Sequence, residues 1–193
     1  KHLVTRGNVD GIVSAAIFLN RFPNARVTFV TSPTAGARVL AADTSSSDIF
    51  MVDLAPVPEM VQAVRDLRSS QQLTLVDHHP TSLAVECSTL VEEGVSAANV
   101  LYHHLRPDPS LRKLVAVADL VEYMPTSLLE QEMRRHGRER VDQESMVLDF
   151  SWRLMIDDDR FRYHAARQLA LGSWPSEVDS VKRRYMQVVN EKR

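Results

Sequence analysis

Apolar positions follow two different rhythms along this chain. In the first half, short runs rich in β-branched residues, among them Leu3-Val4-Thr5, Ile49-Phe50-Met51-Val52 and Leu73-Thr74-Leu75-Val76, alternate with stretches that repeat at helical spacing. This pattern predicts strands near 2–6, 26–31, 48–54, 72–77 and 88–91, and helices near 10–21, 34–42, 57–69 and 94–106. In the first helix Ile12, Ala15, Ala16 and Leu19 share one face, and Pro23 follows its end. Pro56 and Pro58 suit the first turn of the helix after Asp53. Apolar strands alternating with helices imply an α/β fold, a mostly parallel five-stranded sheet with helices on both faces.

After Pro109 the strand rhythm stops. Segments 110–122, 126–136, 142–155, 158–172 and 175–191 all read as helices, punctuated by Pro125, Gly137 and Pro175. The expected division is an α/β core over 1–125 and a helical subdomain over 126–193. In the last helix Val178, Val181, Tyr185, Val188 and Val189 lie on one side and need a partner surface. That surface is either this domain or one to which the helix is a linker. The chain begins with lysine and reads as a fragment. Ser45-Ser46-Ser47 reads as a polar loop before the third strand.

Composition narrows the class. A net charge of -2 argues against a strongly basic polyanion binder, while leaving room for a local basic face. The single cysteine, Cys87, excludes internal disulfides and thiolate metal cages, and fits a reducing, cytoplasmic setting. No apolar run reaches the roughly 20 residues of a membrane span, and there is no secretory leader pattern. No membrane is expected; a protein partner or a homodimer stays open.

The candidate chemistry gathers where apolar runs end. Asp77-His78-His79 follows Leu73–Val76, Asp53 follows Ile49–Val52, Asp10 follows the first strand after a turn, and Asp119 ends Leu114–Ala118. Open α/β sheets bind ligands beyond the carboxyl ends of their strands. Carboxylates and imidazoles converging there suit a divalent metal used in phosphate chemistry. Taken singly, Asp10 reads equally well as a helix cap, and Asp53 as a turn residue before Pro56.

In this order and spacing, Asp10-Gly11, Val52-Asp53, Asp77-His78-His79 and Ala118-Asp119 resemble the motifs of the DHH phosphoesterase superfamily over roughly residues 2–125. That superfamily includes RecJ-type exonucleases, oligoribonucleases, cyclic-dinucleotide phosphodiesterases, family II pyrophosphatases and exopolyphosphatases. The resemblance implies a metal-dependent phosphoesterase acting on single-stranded DNA or RNA or on short oligonucleotides. Its metal would be Mn2+, with Mg2+ as the alternative. Asp53 would bridge two metals, Asp10, His78 and Asp119 would complete one site, Asp77 would orient ligands, and His79 would contact the phosphate.

The first motif departs from the family pattern His-x-Asp-x-Asp-Gly, because Arg6 and Asn8 stand at its first two ligand positions. A guanidinium cannot ligate a cation, and asparagine offers only a neutral oxygen. The first metal site is therefore expected to be weak or absent. Arg6 reads as a phosphate-binding group, as the mark of a non-catalytic binding or scaffold protein, or as an engineered inactivating change. A pyrophosphatase or exopolyphosphatase is a further alternative.

Other eye-catching residues have plainer readings. His103-His104 cannot chelate one metal from adjacent helical positions. The basic run at Arg134-Arg135-His136 is interleaved with glutamates and reads as a salt-bridged helix end. Asp157-Asp158-Asp159 reads as a helix cap. Trp152, Phe161, Tyr163 and Trp174 read as packing residues.

Overall fold

The computed structural model describes residues 1–191. Five strands, β1 (His2–Arg6), β2 (Arg26–Val30), β3 (Asp48–Val52), β4 (Gln72–Asp77) and β5 (Ser88–Val91), form one sheet in the order β2-β1-β3-β4-β5. Every pairing is parallel. From β1 the chain passes through α1 (Val9–Arg21) to β2 on one side, then through α2 (Pro33–Ala42) back to β3 on the other. The strand order therefore reverses between β1 and β3, which opens a crevice at their carboxyl ends. The register places Thr5 beside Val52 and Val52 beside Val76, so the residues following β1, β3 and β4 emerge along one rim.

Alternation along the strands builds two apolar layers. Leu3, Phe50, Val52 and Val76 face α1, α4 (Ala97–Leu105) and α5 (Arg112–Val121). Val4, Ile49, Met51, Leu73 and Leu75 face α2 and α3 (Pro58–Arg65). The first cluster continues without a break from Leu3 to Val181. It takes in α6 (Ser127–His136), α7 (Arg138–Arg153), α8 (Asp159–Leu169) and the start of α9 (Asp179–Glu191). Val178 and Val181 are buried, and Tyr185 stacks on Phe150 with ring centres 6.3 Å apart. The apolar side of α9 thus docks on α7 of this same chain.

Several boundaries differ from the sequence expectation for local reasons. The third helix stops at Arg65 rather than at 69. There Asp66 ends the hydrogen-bond ladder and Gln71 N–H closes a polar turn onto Arg68 O at 2.8 Å. The helix expected from 142 begins at Arg138, directly after Gly137 with its left-handed φ of 90°. The segment from 175 splits into a 3-10 turn, Pro175–Glu177, and α9. Asp119, by contrast, lies inside the helix expected over 110–122, here α5, and not at a strand end as Asp53 and Asp77 do.

At the opposite, amino end of the strands, buried His2 is held by Asp43 Oδ2 at 2.7 Å and Thr28 Oγ1 at 2.8 Å. Arg26 meets the same Asp43 oxygen at 2.5 Å, and the backbone amides of Ser45 and Ser46 donate to its other oxygen. This knot ties β1, β2 and the loop before β3 together, far along the strands from the crevice.

Candidate metal centre at the strand ends

Each side chain in the crevice is placed by a specific local device. After β1, Asn8 Oδ1 accepts from Gly11 N–H at 2.9 Å and caps α1. Gly11 is required by close approach: a Cβ there would lie 1.8 Å from Arg6 O. The cap and this tight turn set Asp10 in the first turn of α1, fully buried. After β3, Asp53 adopts a left-handed backbone with φ of 57°, and its N–H donates to Val76 O at 3.0 Å. That conformation costs a non-glycine residue about 1 kcal/mol and is best tolerated by Asp and Asn. Asp77 is the last residue of β4 and is buried, as is His78 beside it.

Ligating atoms of Asp53, Asp77, His78 and His79 all lie within 4.8 Å of one another. His78 Nε2 stands 3.5 Å from Asp53 Oδ1 and 3.8 Å from Asp10 Oδ2. His79 Nδ1 is bonded to Asp77 Oδ1 at 2.8 Å, while its side chain remains 40% exposed at the mouth. Asp53 Oδ2, Asp77 Oδ2 and His78 Nε2 are buried without any hydrogen-bond partner. Leaving three such atoms unmet costs about 1–3 kcal/mol each unless something else engages them. A carboxylate–imidazole set of this kind suits a divalent cation. The residues present fit one such ion.

Asp10 and Asp119 are differently engaged. Asp10 accepts from the N–H groups of Ala97 and Ala98 at 2.9 and 2.7 Å. Asp119 Oδ1 accepts from Ser96 N–H at 3.0 Å and Ser96 Oγ at 2.6 Å. Its Oδ2 accepts from Asn99 Nδ2 at 2.7 Å and Thr126 Oγ1 at 2.6 Å. The structure thus brings Asp53, Asp77, His78 and His79 together with Asp10 alongside, and holds Asp119 in a hydrogen-bonded anchor under α4 and α6.

Crowding of like charge shows in the titration behaviour. Burial pushes the Asp10 carboxyl well above the usual carboxylate range, and neighbouring Asp53 pushes it further against the pull of the α4 amides. Burial opposes protonation of His78, but Asp53, Asp10 and Asp77 outweigh it and hold its pKa above the ordinary value. Glu122, just past α5, is a further member that the motifs did not reveal. Burial and Asp53 raise its pKa, moderated by His78, His79 and Arg6. Its signal was faint: an acidic residue one helical turn beyond Asp119.

Arg6 is half-buried at the end of β1 and acts on Glu122 through its charge, and Asn8 gives its side-chain oxygen to the helix cap. His2, at the other end of β1, is remote from the site. His103 and His104 are exposed, and Asp158 caps α8 through Phe161 N–H at 3.0 Å. Phe161 and Trp174 are buried in the core. Among the described residues no helix is long and apolar enough to cross a membrane.

No protein-family model and no curated protein matches the chain. Solved structures do. RecJ from Thermus thermophilus, solved in complex with Mn2+, aligns with a TM-score of 0.60 at 14% identity, covering 98% of this chain and 34% of that one. A pGpG-specific phosphodiesterase, PggH, from Vibrio cholerae aligns with a TM-score of 0.54 at 15% identity, covering 96% of this chain and 58% of that one. An uncharacterized protein from Helicobacter pylori G27 gives 0.53 at 12% identity, covering 98% and 61%. This chain therefore spans only part of each of these proteins. The parallel sheet with its reversal between β1 and β3, taken with these structural matches, shows that the chain shares the fold of RecJ and of the pGpG phosphodiesterase.

Proposed function

We propose that this chain is a divalent-metal-dependent phosphoesterase core that cleaves phosphodiester bonds in single-stranded nucleic acid or short oligonucleotides. The observation that carries it is the trio of unpartnered buried atoms, Asp53 Oδ2, Asp77 Oδ2 and His78 Nε2, at the reversal point of the sheet. The match to RecJ with Mn2+ and to a pGpG phosphodiesterase supports the substrate class and favours manganese.

In this reading Asp53, Asp77 and His78 hold the cation, and Asp10 supplies negative charge behind His78. Asp119 keeps the α4 end in place, so that Asp10 is positioned from both sides. A bound divalent cation supplies Lewis-acid charge that neutralises the transferring phosphoryl group and acidifies water. The Asp77 bond fixes a proton on His79 Nδ1 and leaves the other ring nitrogen to contact the phosphate at the mouth. Arg6 adds permanent positive charge for the same phosphate, at a position where the family pattern has a metal ligand. Residues 1–125 then carry the chemistry, and helices α6 to α9 form a wall beside it.

A second reading is favoured by Arg6 and by the use of Asn8 as a cap: a metal-binding scaffold without turnover. The two are separated by incubating the chain with Mn2+ or Mg2+ and end-labelled oligonucleotides, a linear dinucleotide or pyrophosphate. Cation-dependent nucleotide release that disappears in Asp53→Asn supports the first reading. Stabilisation by the metal without release of any product supports the second. Orthophosphate from pyrophosphate as the sole product would replace both.

A further inference from the structure

A second polar site lies outside the crevice, in a groove of 550 Å³ between the first half of α8 and α9. Its lining includes Arg160, His164, Ser180, Arg183 and Arg184, with Asp158 as the one carboxylate. Asp158 is already engaged: Oδ1 caps Phe161 N–H, and Oδ2 pairs with Arg184 Nη2. The Arg184 guanidinium is also held 3.8 Å above the Phe161 ring. Its remaining edge, Nη1, is buried with no partner, and so is Ser180 Oγ one turn earlier on the same helix. Arg160 and Arg183 stand exposed on either wall, and neither makes an ion pair among the described residues. A fixed guanidinium edge, an unpartnered hydroxyl and two exposed cations form a donor set for phosphate oxygens.

The groove is tied to the crevice. Arg162, next to Phe161, donates from Nε to Gly7 O at 2.9 Å, between Arg6 and Asn8. A Cβ on Gly7 would meet the Arg162 guanidinium at 2.5 Å, so α8 is seated directly on the loop that follows Arg6. We propose that the α8–α9 groove binds backbone phosphates of a single-stranded oligonucleotide whose terminal nucleotide lies in the crevice. This rests on the phosphoesterase reading above and extends it to a preference for strands longer than a dinucleotide.

The test uses a fluorescent single strand of about 10 nucleotides, within the length such surfaces cover. Binding is followed by anisotropy in EDTA, and turnover with Mn2+ is measured on the same strand and on a dinucleotide. In Arg160→Glu/Arg183→Glu, affinity should fall at least about ten-fold and the slope of log K against log[salt] should flatten by about 1.4 for two lost phosphate contacts. The ratio of oligonucleotide to dinucleotide turnover should fall with it. Ser180→Ala, which changes no charge, should weaken binding by about five-fold. Unchanged affinity and salt slope in both variants, with circular dichroism showing that they fold, would overturn the proposal. So would polyglutamate binding as tightly with the same dependence on Arg160 and Arg183. If no substrate is hydrolysed but groove-dependent strand binding persists, the phosphoesterase reading fails and the groove assignment stands.

Discussion

Asp10 and Asp119 divide the amino terminus of α4 between them: Asp10 takes the N–H groups of Ala97 and Ala98, and Asp119 takes that of Ser96. Ser96 Oγ covers the next one, Asn99, at 3.1 Å. Four donors that a helix start would otherwise leave unmet are thereby satisfied, and two carboxylates sit at the positive end of the helix dipole.

Asp119 should consequently be a stability residue first. Asp119→Ala strips the partners from Ser96, Asn99 and Thr126 in a buried setting and should cost about 3 kcal/mol or more. Urea denaturation of the variant beside the parent measures it; a loss below about 1 kcal/mol would mean that the anchor carries little.

Asp53→Asn should move stability and metal response in opposite directions. Asparagine tolerates the left-handed backbone and removes one charge from the crowd that includes Asp10, Asp77 and Glu122. The metal-free variant should gain about 1 kcal/mol and lose most of the Mn2+-induced rise in Tm expected of the parent. Asp53→Ala, which adds backbone strain, should not show that gain. Thermal melts with and without Mn2+ decide both points.

Much of this was legible in the sequence, and the exceptions have physical causes. All five strands lie at or near their expected positions, because β-branched runs bounded by turn residues have few alternatives. The run Leu114–Ala118 is different. Its five consecutive apolar residues carry no period of their own, yet the helix expected over 110–122 is present as α5, and Asp119 sits on a helix face and not at a strand end. Asp53, His78 and Asp77 followed from their positions after apolar runs. The engagement of Asp10 with α4 did not, since it joins residues remote in sequence through backbone amides that no side-chain pattern records. Glu122 and the α8–α9 groove were missed for a similar reason: each depends on which faces of separate helices meet.

Gly11→Ala should be disruptive although alanine is the better helix former. The added methyl would lie 1.8 Å from Arg6 O, so the β1–α1 turn must open and carry Asp10 with it. A loss of at least about 3 kcal/mol is expected by chemical denaturation, together with loss of the Mn2+-induced shift in Tm.

Acid should weaken the knot at the amino end of the strands. Burial lowers the His2 pKa below 6.5, aided by Arg26 and opposed by the bond from Asp43, so the unfolded chain takes up a proton that the native state resists. Burial raises the Asp43 carboxyl, but bonds from His2, Ser46 and Ser45 outweigh it and hold it well below 3.8. Both effects remove stability as pH falls: the His2 part from 6.5 downward, the Asp43 part from 3.8 downward. His2→Gln should lose the upper limb, read as a difference in unfolding free energy between variant and parent across that window at constant EDTA.

Introducing the His-x-Asp-x-Asp-Gly pattern with Arg6→His/Asn8→Asp should create a second cation position. Aspartate is as good a helix cap as asparagine, so α1 should keep its start. Calorimetric titration with Mn2+ should move from one bound ion to two, as a two-metal site requires. An unchanged stoichiometry would show that the crevice cannot accommodate the second ion.

The sharing of Asp10 has a consequence for motion. The carboxylate that closes the start of α4 is also the one beside His78, so a cation drawing on its charge competes with two backbone amides. Filling the crevice and fastening that helix become linked events: hydrogen exchange at Ala97 and Ala98 should report the occupancy of a site that neither residue touches. The first turn of α4 would then serve as a built-in gauge of the metal centre.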